Sequence, residues 1–286
     1  MKRTLRIIRA DIMGYCMGVR RAVEAAEQAL LDNPLRPVYT YGPLIHNPSA
    51  LERLSEAGVE ILGPGYAPIP DDFHGRSVVV RAHGIPPQER ALLESRHAMV
   101  VDATCPRVLS SQKRAKSYHE RGYRVILAGD RDHGEIAGIA GYAPDCILLG
   151  SREDAENIQN WPERAVLISQ TTIKQSEYDA IAGVLSRHIT DLIVLDTICP
   201  ATVERQKALA SLAEKVEGIL VVGGRESANT LRLFLSAQSL CSHAWHVETA
   251  AEIPPEAYSL SCIGITAGAS TPDDVIDAVE QALQNV

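Results

Sequence analysis

The chain has 286 residues, a formal net charge of −8 at pH 7 and 45% hydrophobic residues. The acidic balance argues against nucleic acid as a partner, because binding phosphates requires a basic face. Arg9 and Asp11 interrupt the first apolar stretch, which therefore matches neither a signal peptide nor a membrane span of about 20 apolar residues. We expect a cytoplasmic protein with no membrane partner.

Three cysteines recur along the chain. Cys16, Cys105 and Cys199 lie 89 and 94 residues apart, each between an apolar run and a helical pattern. The runs read RTLRIIRADIMGYC, AMVVDATC and DLIVLDTIC. Such recurrence is typical of internal repeats, here with each cysteine at a strand-to-helix turn. It predicts three α/β units, 1–103, 104–197 and 198–286.

Two further predicted strands follow each of these cysteines. The first of the two, PVYTYG, YRVILAG or GILVVG, ends in glycine, and a polar residue stands four positions later: His46, His133 and Ser227. The second, VVVRAH, AVLISQT or IGITAGAS, ends in a polar residue: His83, Thr171 and Ser270. Ligands of open parallel sheets bind beyond the carboxyl ends of the strands. We expect pseudo-threefold-related units with small parallel sheets, a trefoil of the α/β class, around one central site.

The recurring cysteines predict a metal centre. A single free cysteine is most often a core residue, which is the interpretation for Cys146, Cys241 and Cys262. Three thiolates suit zinc or an iron-sulfur cluster. The closely spaced cysteine pairs typical of structural zinc do not occur in the sequence. A [4Fe-4S] cluster on three cysteines leaves one iron open to act as a Lewis acid, and we favour the cluster.

The polar residues predict an anion site and a proton donor. His46 precedes Asn47-Pro48, a typical helix start, and His83 and Ser270 are expected at similar starts. Several helix N-termini directed at one point, together with Asn229, could hold a diphosphate. Glu135 follows His133 closely and could deliver protons. Its spacing is equally consistent with an ordinary first-turn glutamate that favours the helix dipole.

Nine segments resemble the IspH/LytB family of 4-hydroxy-3-methylbut-2-enyl diphosphate reductases. They occur in order over nearly the whole chain: GYCMGVRRAVE, GPLIHNP, RAHGIP, VDATCP, DHGE, SQTT, DTICPATVERQ, VVGGRESANT and GITAGASTPD. The resemblance implies a trefoil fold around a [4Fe-4S] cluster. It also implies reductive removal of an allylic hydroxyl, the last step of the non-mevalonate isoprenoid pathway, to give isopentenyl and dimethylallyl diphosphates.

The resemblance also implies residue roles. Cys16, Cys105 and Cys199 would bind the cluster. Glu135 would lie in the proton path, while His133 and Thr171 would contact the substrate hydroxyl. The diphosphate would be surrounded by six residues: His46, His83, Ser227, Ala228, Asn229 and Ser270. Electrons would come from a protein such as ferredoxin or flavodoxin.

Two positions depart from the family pattern. Ala228 stands where a second serine is usual, although its backbone N–H remains available, and Gly134 replaces a usual proline between His133 and Glu135. Two alternatives therefore stay open. One is a paralogue that reduces another phosphorylated substrate. The other is a non-catalytic zinc or iron-sulfur binding protein, which would need neither Glu135 nor Thr171.

Overall fold

A computed structural model describes residues 5–285. Within them the strands are β1 (Arg6–Arg9), β2 (Val38–Tyr41), β3 (Val59–Leu62), β4 (Ser77–Val80), β5 (Met99–Asp102), β6 (Arg124–Ala128), β7 (Ile147–Leu149), β8 (Arg164–Ser169), β9 (Asp191–Val194), β10 (Gly218–Val222), β11 (His243–Val247) and β12 (Cys262–Ala267). The helices are α1 (Met17–Asp32), α2 (Pro48–Glu56), α3 (Pro87–Ser95), α4 (Pro106–Glu120), α5 (Gly134–Ala140), α6 (Arg152–Glu156), α7 (Gln175–Leu185), α8 (Pro200–Ala213), α9 (Ala228–Leu240) and α10 (Asp273–Gln284). Two short 3-10 turns, Ala250–Glu252 and Pro255–Ser259, precede β12.

The strands form three four-stranded sheets in which every pairing is parallel. Their orders are β3-β2-β4-β5, β7-β6-β8-β9 and β11-β10-β12-β1, so the three sheets share one topology. The central strands β4 and β10 are buried along their whole length, as expected when helices cover both faces of a parallel sheet. The predicted α/β class with three small parallel sheets is confirmed.

The strand that precedes each recurring cysteine lies at the edge of a sheet. Its neighbour in the sheet is the strand that ends another repeat of the sequence. β5 pairs with β4 and β9 pairs with β8. β1 pairs with β12, with Arg6 opposite Cys262, and so joins the start of the chain to its end. The repeat boundaries 1–103, 104–197 and 198–286 stay a prediction.

The chain forms two compact units. The terminal unit comprises residues 5–20, Ile45–Ala57 and 200–285, and contains the sheet of β1, β10, β11 and β12. The central unit comprises Arg21–Leu44 and Gly58–Cys199, and contains the other two sheets. Each sheet has its own apolar core: one around Leu220 and Ile265, one around Leu127 and Ile168, and one around Phe73 and Val80.

Among the helices of residues 5–285, none has both the length and the hydrophobicity of a membrane-spanning segment.

Candidate active site

The three recurring cysteines share one backbone environment. Each cysteine N–H donates a hydrogen bond to a carbonyl in the loop after the neighbouring strand: Cys16 to Ala269 (3.1 Å), Cys105 to Ala82 (3.0 Å) and Cys199 to Thr171 (2.9 Å). A helix begins at the next residue in every case. The sequence repeat therefore corresponds to a repeated local structure, and the acceptor carbonyls belong to the loops that carry Ser270, His83 and Thr171.

The chemistry of these cysteines fits a metal centre. None of the six cysteines forms a disulfide, and all six are partly buried. The Val19 N–H points to Cys16 Sγ at 3.4 Å, and a helix N-terminus favours nearby negative charge such as a thiolate. Within the described part of the chain, no group of three or more His, Cys, Asp or Glu side chains is arranged to hold a metal ion. The case for a metal centre therefore rests on the three recurring thiols and on the helix that begins beside each of them.

Glu135 is the one buried acidic residue of the central unit. It lies in the first turn of α5 and is only 1% exposed. The Thr171 backbone N–H donates to Oε1 and the Thr171 hydroxyl donates to Oε2, both at 2.7 Å. Because Thr171 also accepts the Cys199 N–H, the Glu135 carboxyl is tied to the loop that positions Cys199. A first-turn glutamate that only favoured the helix dipole would have no need of this burial.

Two histidines lie at the start of the helix that carries this carboxyl. The Glu135 N–H donates to His133 Nδ1 at 3.2 Å, so His133 caps α5 with a ring nitrogen. A neutral ring whose Nδ1 accepts a hydrogen bond carries its proton on Nε2. The rings of His83 and His133 meet edge to face, with centroids 4.8 Å apart. The central unit therefore brings together His83, His133, Glu135 and Thr171.

Glycines allow the two sheets of the central unit to approach at this point. A Cβ atom on Gly138 would lie 3.2 Å from the His83 carbonyl oxygen, and one on Gly141 would lie 2.9 Å from Pro86 Cα. Real Cβ contacts are rarely so short, so a side chain at either position would push the His83 loop away from α5. The glycines of α5 thus place His83 against His133.

The terminal unit carries a second group of the predicted residues. Ser227 caps α9, where its Oγ accepts the Thr230 N–H at 3.3 Å, and the Ser270 hydroxyl donates to Ser227 Oγ at 3.2 Å. Asn229 Oδ1 accepts the Ala269 N–H at 2.9 Å, which orients the amide and directs its NH₂ group away from that loop. Ala228 is the first residue of α9, so its N–H lies among the helix-end amides that have no acceptor within the helix.

His46 lies against the same helix start. Its carbonyl group packs directly against Gly224, where any side chain would collide with it. Asn47 follows as the cap of α2, with its Oδ1 accepting the Ala50 N–H at 3.0 Å, and Pro48 begins the helix. The terminal unit therefore gathers hydroxyls, an amide and two helix N-termini, the types of group that bind phosphate oxygens, with the backbone of His46 between the two helix starts.

Two expected helix starts differ from the structure. His83 and Ser270 were placed by their sequence context at helix N-termini, but α3 begins at Pro87 and α10 begins at Asp273. Both residues lie in the preceding strand-to-helix loops. A proline disfavours helical geometry in the residue before it, so Ile85 and Thr271 stay outside the helices, which begin after the cap residues Pro86 and Pro272.

Comparison with known proteins identifies the family. The family model described as LytB protein matches residues 7–284. The chain belongs to the LytB family. A 4-hydroxy-3-methylbut-2-enyl diphosphate reductase of Treponema denticola is 49% identical over 283 residues, which cover 96% of this chain and 98% of the relative. The enzyme of the same name from Aquifex aeolicus is 36% identical, over 98% of this chain and 96% of its own length.

Solved structures of this LytB chain's relatives agree with its fold. The E-1-hydroxy-2-methyl-but-2-enyl-4-diphosphate reductase of Plasmodium falciparum superimposes with a TM-score of 0.89 at 27% identity, over 99% of this chain and 89% of that one. A structure of (E)-4-hydroxy-3-methyl-but-2-enyl diphosphate reductase, described as the terminal enzyme of the non-mevalonate pathway, gives 0.71 at 34% identity, over 99% and 100%.

One residue beside the site was missed at the level of sequence. Arg81 follows β4 directly and is largely buried, with its guanidinium against Gly42 and Gly134. The signal that could have indicated it is a basic residue at the end of an otherwise apolar strand, two positions before His83.

Proposed function

We propose that this chain is a 4-hydroxy-3-methylbut-2-enyl diphosphate reductase, which replaces the allylic hydroxyl of its substrate by hydrogen. The observation that carries the proposal is the buried Glu135 carboxyl, held at both oxygens by Thr171 and tied through that residue to Cys199. A protein that only bound a metal would need no such carboxyl. The names of the family's relatives support the same reaction.

The cofactor proposed for this reaction is a [4Fe-4S] cluster with Cys16, Cys105 and Cys199 as its protein ligands. Such a cluster, when bound, supplies electrons and an iron that acts as a Lewis acid. The support from this chain is that the three cysteines lie at equivalent strand-to-helix turns and form no disulfides.

Glu135 is proposed to supply the proton for the departing hydroxyl. The overall change consumes two electrons and two protons: the carbon–oxygen bond breaks, water leaves, and a carbon–hydrogen bond forms. Because Thr171 donates to both carboxyl oxygens, Glu135 is held in one orientation, and in its protonated form it would pass a proton to a hydroxyl placed beside it. The second proton can join either end of the allyl fragment, which accounts for two products.

The diphosphate is proposed to bind at the polar groups of the terminal unit, with His83 of the central unit as a further predicted contact. Ser270 donates its hydroxyl to Ser227, and Asn229 accepts the Ala269 N–H, so the Ser227 hydroxyl and the Asn229 NH₂ group are the donors preorganised for an anion. Ala228 offers its backbone N–H in place of a hydroxyl. This site also explains why an acidic chain could bind an acidic substrate, because local donors outweigh net charge at short range.

Replacing Asn229 by alanine should weaken substrate binding. The change removes an NH₂ donor and frees the Ala269 N–H, and a hydrogen bond to a charged group is worth about 1.5–3 kcal/mol. The dissociation constant for the diphosphate should therefore rise by roughly 10- to 150-fold, as measured by calorimetry. Ser239→Ala, at the far end of the same helix, is the matched control. Unchanged affinity in Asn229→Ala would remove this residue from the site.

A basic cleft in the central unit is proposed to receive the electron donor. It has a volume of about 790 Å³ and is lined by four basic residues, Arg21, Lys113, Arg114 and Arg121. Asp102 is its one acidic residue, and Thr104 and Pro106, which flank Cys105, also line it. A basic surface beside a cluster ligand on an acidic chain suits an acidic protein such as ferredoxin or flavodoxin, because complementary charge speeds encounter.

Reversing two of these charges should impair turnover with a protein donor. In Lys113→Glu/Arg114→Glu we expect the KM for reduced ferredoxin or flavodoxin to rise by roughly tenfold at low salt, with a smaller difference from the parent at high salt. Turnover with a small chemical reductant should change much less. Lys116→Glu lies on the same helix outside the cleft and should leave the donor KM at the parent value. Equal KM values in all three proteins would place docking elsewhere.

The function is tested by anaerobic turnover with a chemical reductant. We expect 4-hydroxy-3-methylbut-2-enyl diphosphate to give isopentenyl and dimethylallyl diphosphates, and the free alcohol without diphosphate to be a poor substrate. The departure at Ala228 favours a second candidate, a reductase of another phosphorylated allylic alcohol. Faster reduction of such a compound would support that candidate, and a protein that binds metal without reducing either would contradict both. The cytoplasmic location stays a prediction.

A further inference from the structure

Arg81 occupies space that two glycines leave open. A Cβ atom on Gly42 would lie 3.0 Å from Arg81 Nη1, and a Cβ atom on Gly134 would lie 3.0 Å from Cζ and collide with Nη2. Gly42 directly follows β2, and Gly134 is the first residue of α5, between His133 and Glu135. The guanidinium thus occupies the space that side chains at positions 42 and 134 would fill, and it bridges the two sheets of the central unit.

The buried position of the Arg81 charge is energetically unfavourable. Burial lowers the pKa of the Arg81 guanidinium, partly offset by the Glu89 carboxylate, and burial in turn raises the pKa of Glu89. Arg81 Nε is buried and has no hydrogen-bond partner among residues 5–285. A buried donor without a partner is uncommon in folded proteins and calls for an explanation. The guanidinium lies against the two glycines and is attracted by the Glu89 charge, without a hydrogen bond through Nε.

The start of α5 needs such support. Glycine has the widest conformational freedom of any residue, and Gly134 stands directly before the Glu135 carboxyl. A rigid group against Gly134 would limit the motion of the first helical turn. The glycine is also what admits the guanidinium, because any side chain at position 134 would displace it.

We infer that Arg81 is a positioning residue for Glu135, which it holds in place by packing its guanidinium against Gly134. This inference rests on the proposed function, since it concerns the proton donor of that reaction. It also accounts for the departure at position 134. Here an arginine from the neighbouring sheet supplies the rigidity that a proline between His133 and Glu135 would supply within the chain.

The first test is Arg81→Ala, with Arg164→Ala as the control for loss of an arginine. Small misplacements of a catalytic group cost up to about 100-fold in rate, so kcat should fall roughly 10- to 100-fold while KM stays near the parent value. Amide hydrogen exchange in residues 133–140 should become faster. Exchange is measured without substrate, so it tests the packing even if the parent protein proves inactive on the proposed substrate. Unchanged exchange in Arg81→Ala would overturn the inference.

A second variant tests for rescue. In Arg81→Ala/Gly134→Pro the proline ring has the space that the guanidinium left. Proline is favoured at the first helical position, and His133 already has the extended backbone that a following proline requires. We expect slow exchange in residues 133–140 and most of kcat to return. Gly134→Pro alone should also be impaired, because the proline ring and the guanidinium would compete for the same space. If the loss of kcat in the double variant equalled the combined losses of the two single variants, Arg81 and Gly134 would act independently, which would contradict the inference.

A third comparison separates positioning from general stability. If Arg81 acts through Glu135, then Arg81→Ala should lower the residual turnover of Glu135→Gln by less than threefold. If Arg81 had only a structural role, Arg81→Ala would lower turnover by the same factor in the parent and in Glu135→Gln. That result would contradict the inference.

Discussion

Replacing Glu135 by glutamine should lower turnover by about 10²–10⁴-fold, the usual contribution of general acid catalysis. The variant is well matched to this structure. A glutamine oxygen can still accept the Thr171 N–H, and its NH₂ group can donate to the Thr171 hydroxyl once that hydroxyl rotates. The size and both hydrogen bonds are retained, and only the acid is lost. Substrate should bind with its hydroxyl still attached.

The measurement is steady-state turnover with a chemical reductant, beside substrate affinity, at matched iron content. Glu120→Gln, an exposed residue at the end of α4, controls for the loss of one negative charge from the central unit. If Glu135→Gln turned over within a few-fold of the parent, Glu135 would not be the required proton source. Thr171 with ordered water or a phosphate oxygen of the substrate would then be the better candidate.

Replacing Cys105 by serine should abolish turnover and lower the iron content of the anaerobically purified protein. The serine keeps the backbone N–H that donates to Ala82, so the local fold should survive while a thiolate ligand is lost. The parent should be brown and contain about four irons per chain when the cluster is intact. Iron and sulfide assays with a visible spectrum measure the outcome.

Cys146→Ser is the control for this prediction. Cys146 packs against the core of the β6–β9 sheet, and burial raises the pKa of its thiol. Since it has no counterpart in the other repeats, its loss should leave iron content and turnover near the parent values. Stoichiometric zinc without a visible chromophore in the parent would contradict the cluster, and equal iron loss in both variants would mean that Cys105 has no special role.

Much of the fold could be predicted from the sequence because it is repeated. The strands before and after each cysteine are apolar runs with glycine or a polar residue at their ends, a pattern that occurs three times and so stands above chance. The edge strands β3, β7 and β11 were not predicted. β7 has only three residues, Glu60 interrupts the apolar run of β3, and His243 and His246 place polar side chains within β11, so none of the three shows an apolar run of strand length.

Pairings between distant segments could not be read from the sequence either. Nothing local to Arg6–Arg9 indicates that β1 pairs with β12, more than 250 residues away, because parallel pairing depends on how complete units assemble. The residues around Glu135 were predictable as a set, since each ends a repeated strand or follows its glycine. The Thr171 bonds to Glu135 and the packing of Arg81 against Gly134 were not, because they depend on side-chain positions across two sheets.

The central claim, reductive removal of the hydroxyl, is tested most directly by counting electrons against products. The iron-loaded protein would be mixed anaerobically with excess 4-hydroxy-3-methylbut-2-enyl diphosphate and a titrated, limiting amount of one-electron chemical reductant. Two electrons should be consumed for each molecule of isopentenyl or dimethylallyl diphosphate formed, and no product should appear without reductant. Product formed without electron consumption, or electrons consumed without either diphosphate product, would contradict the account.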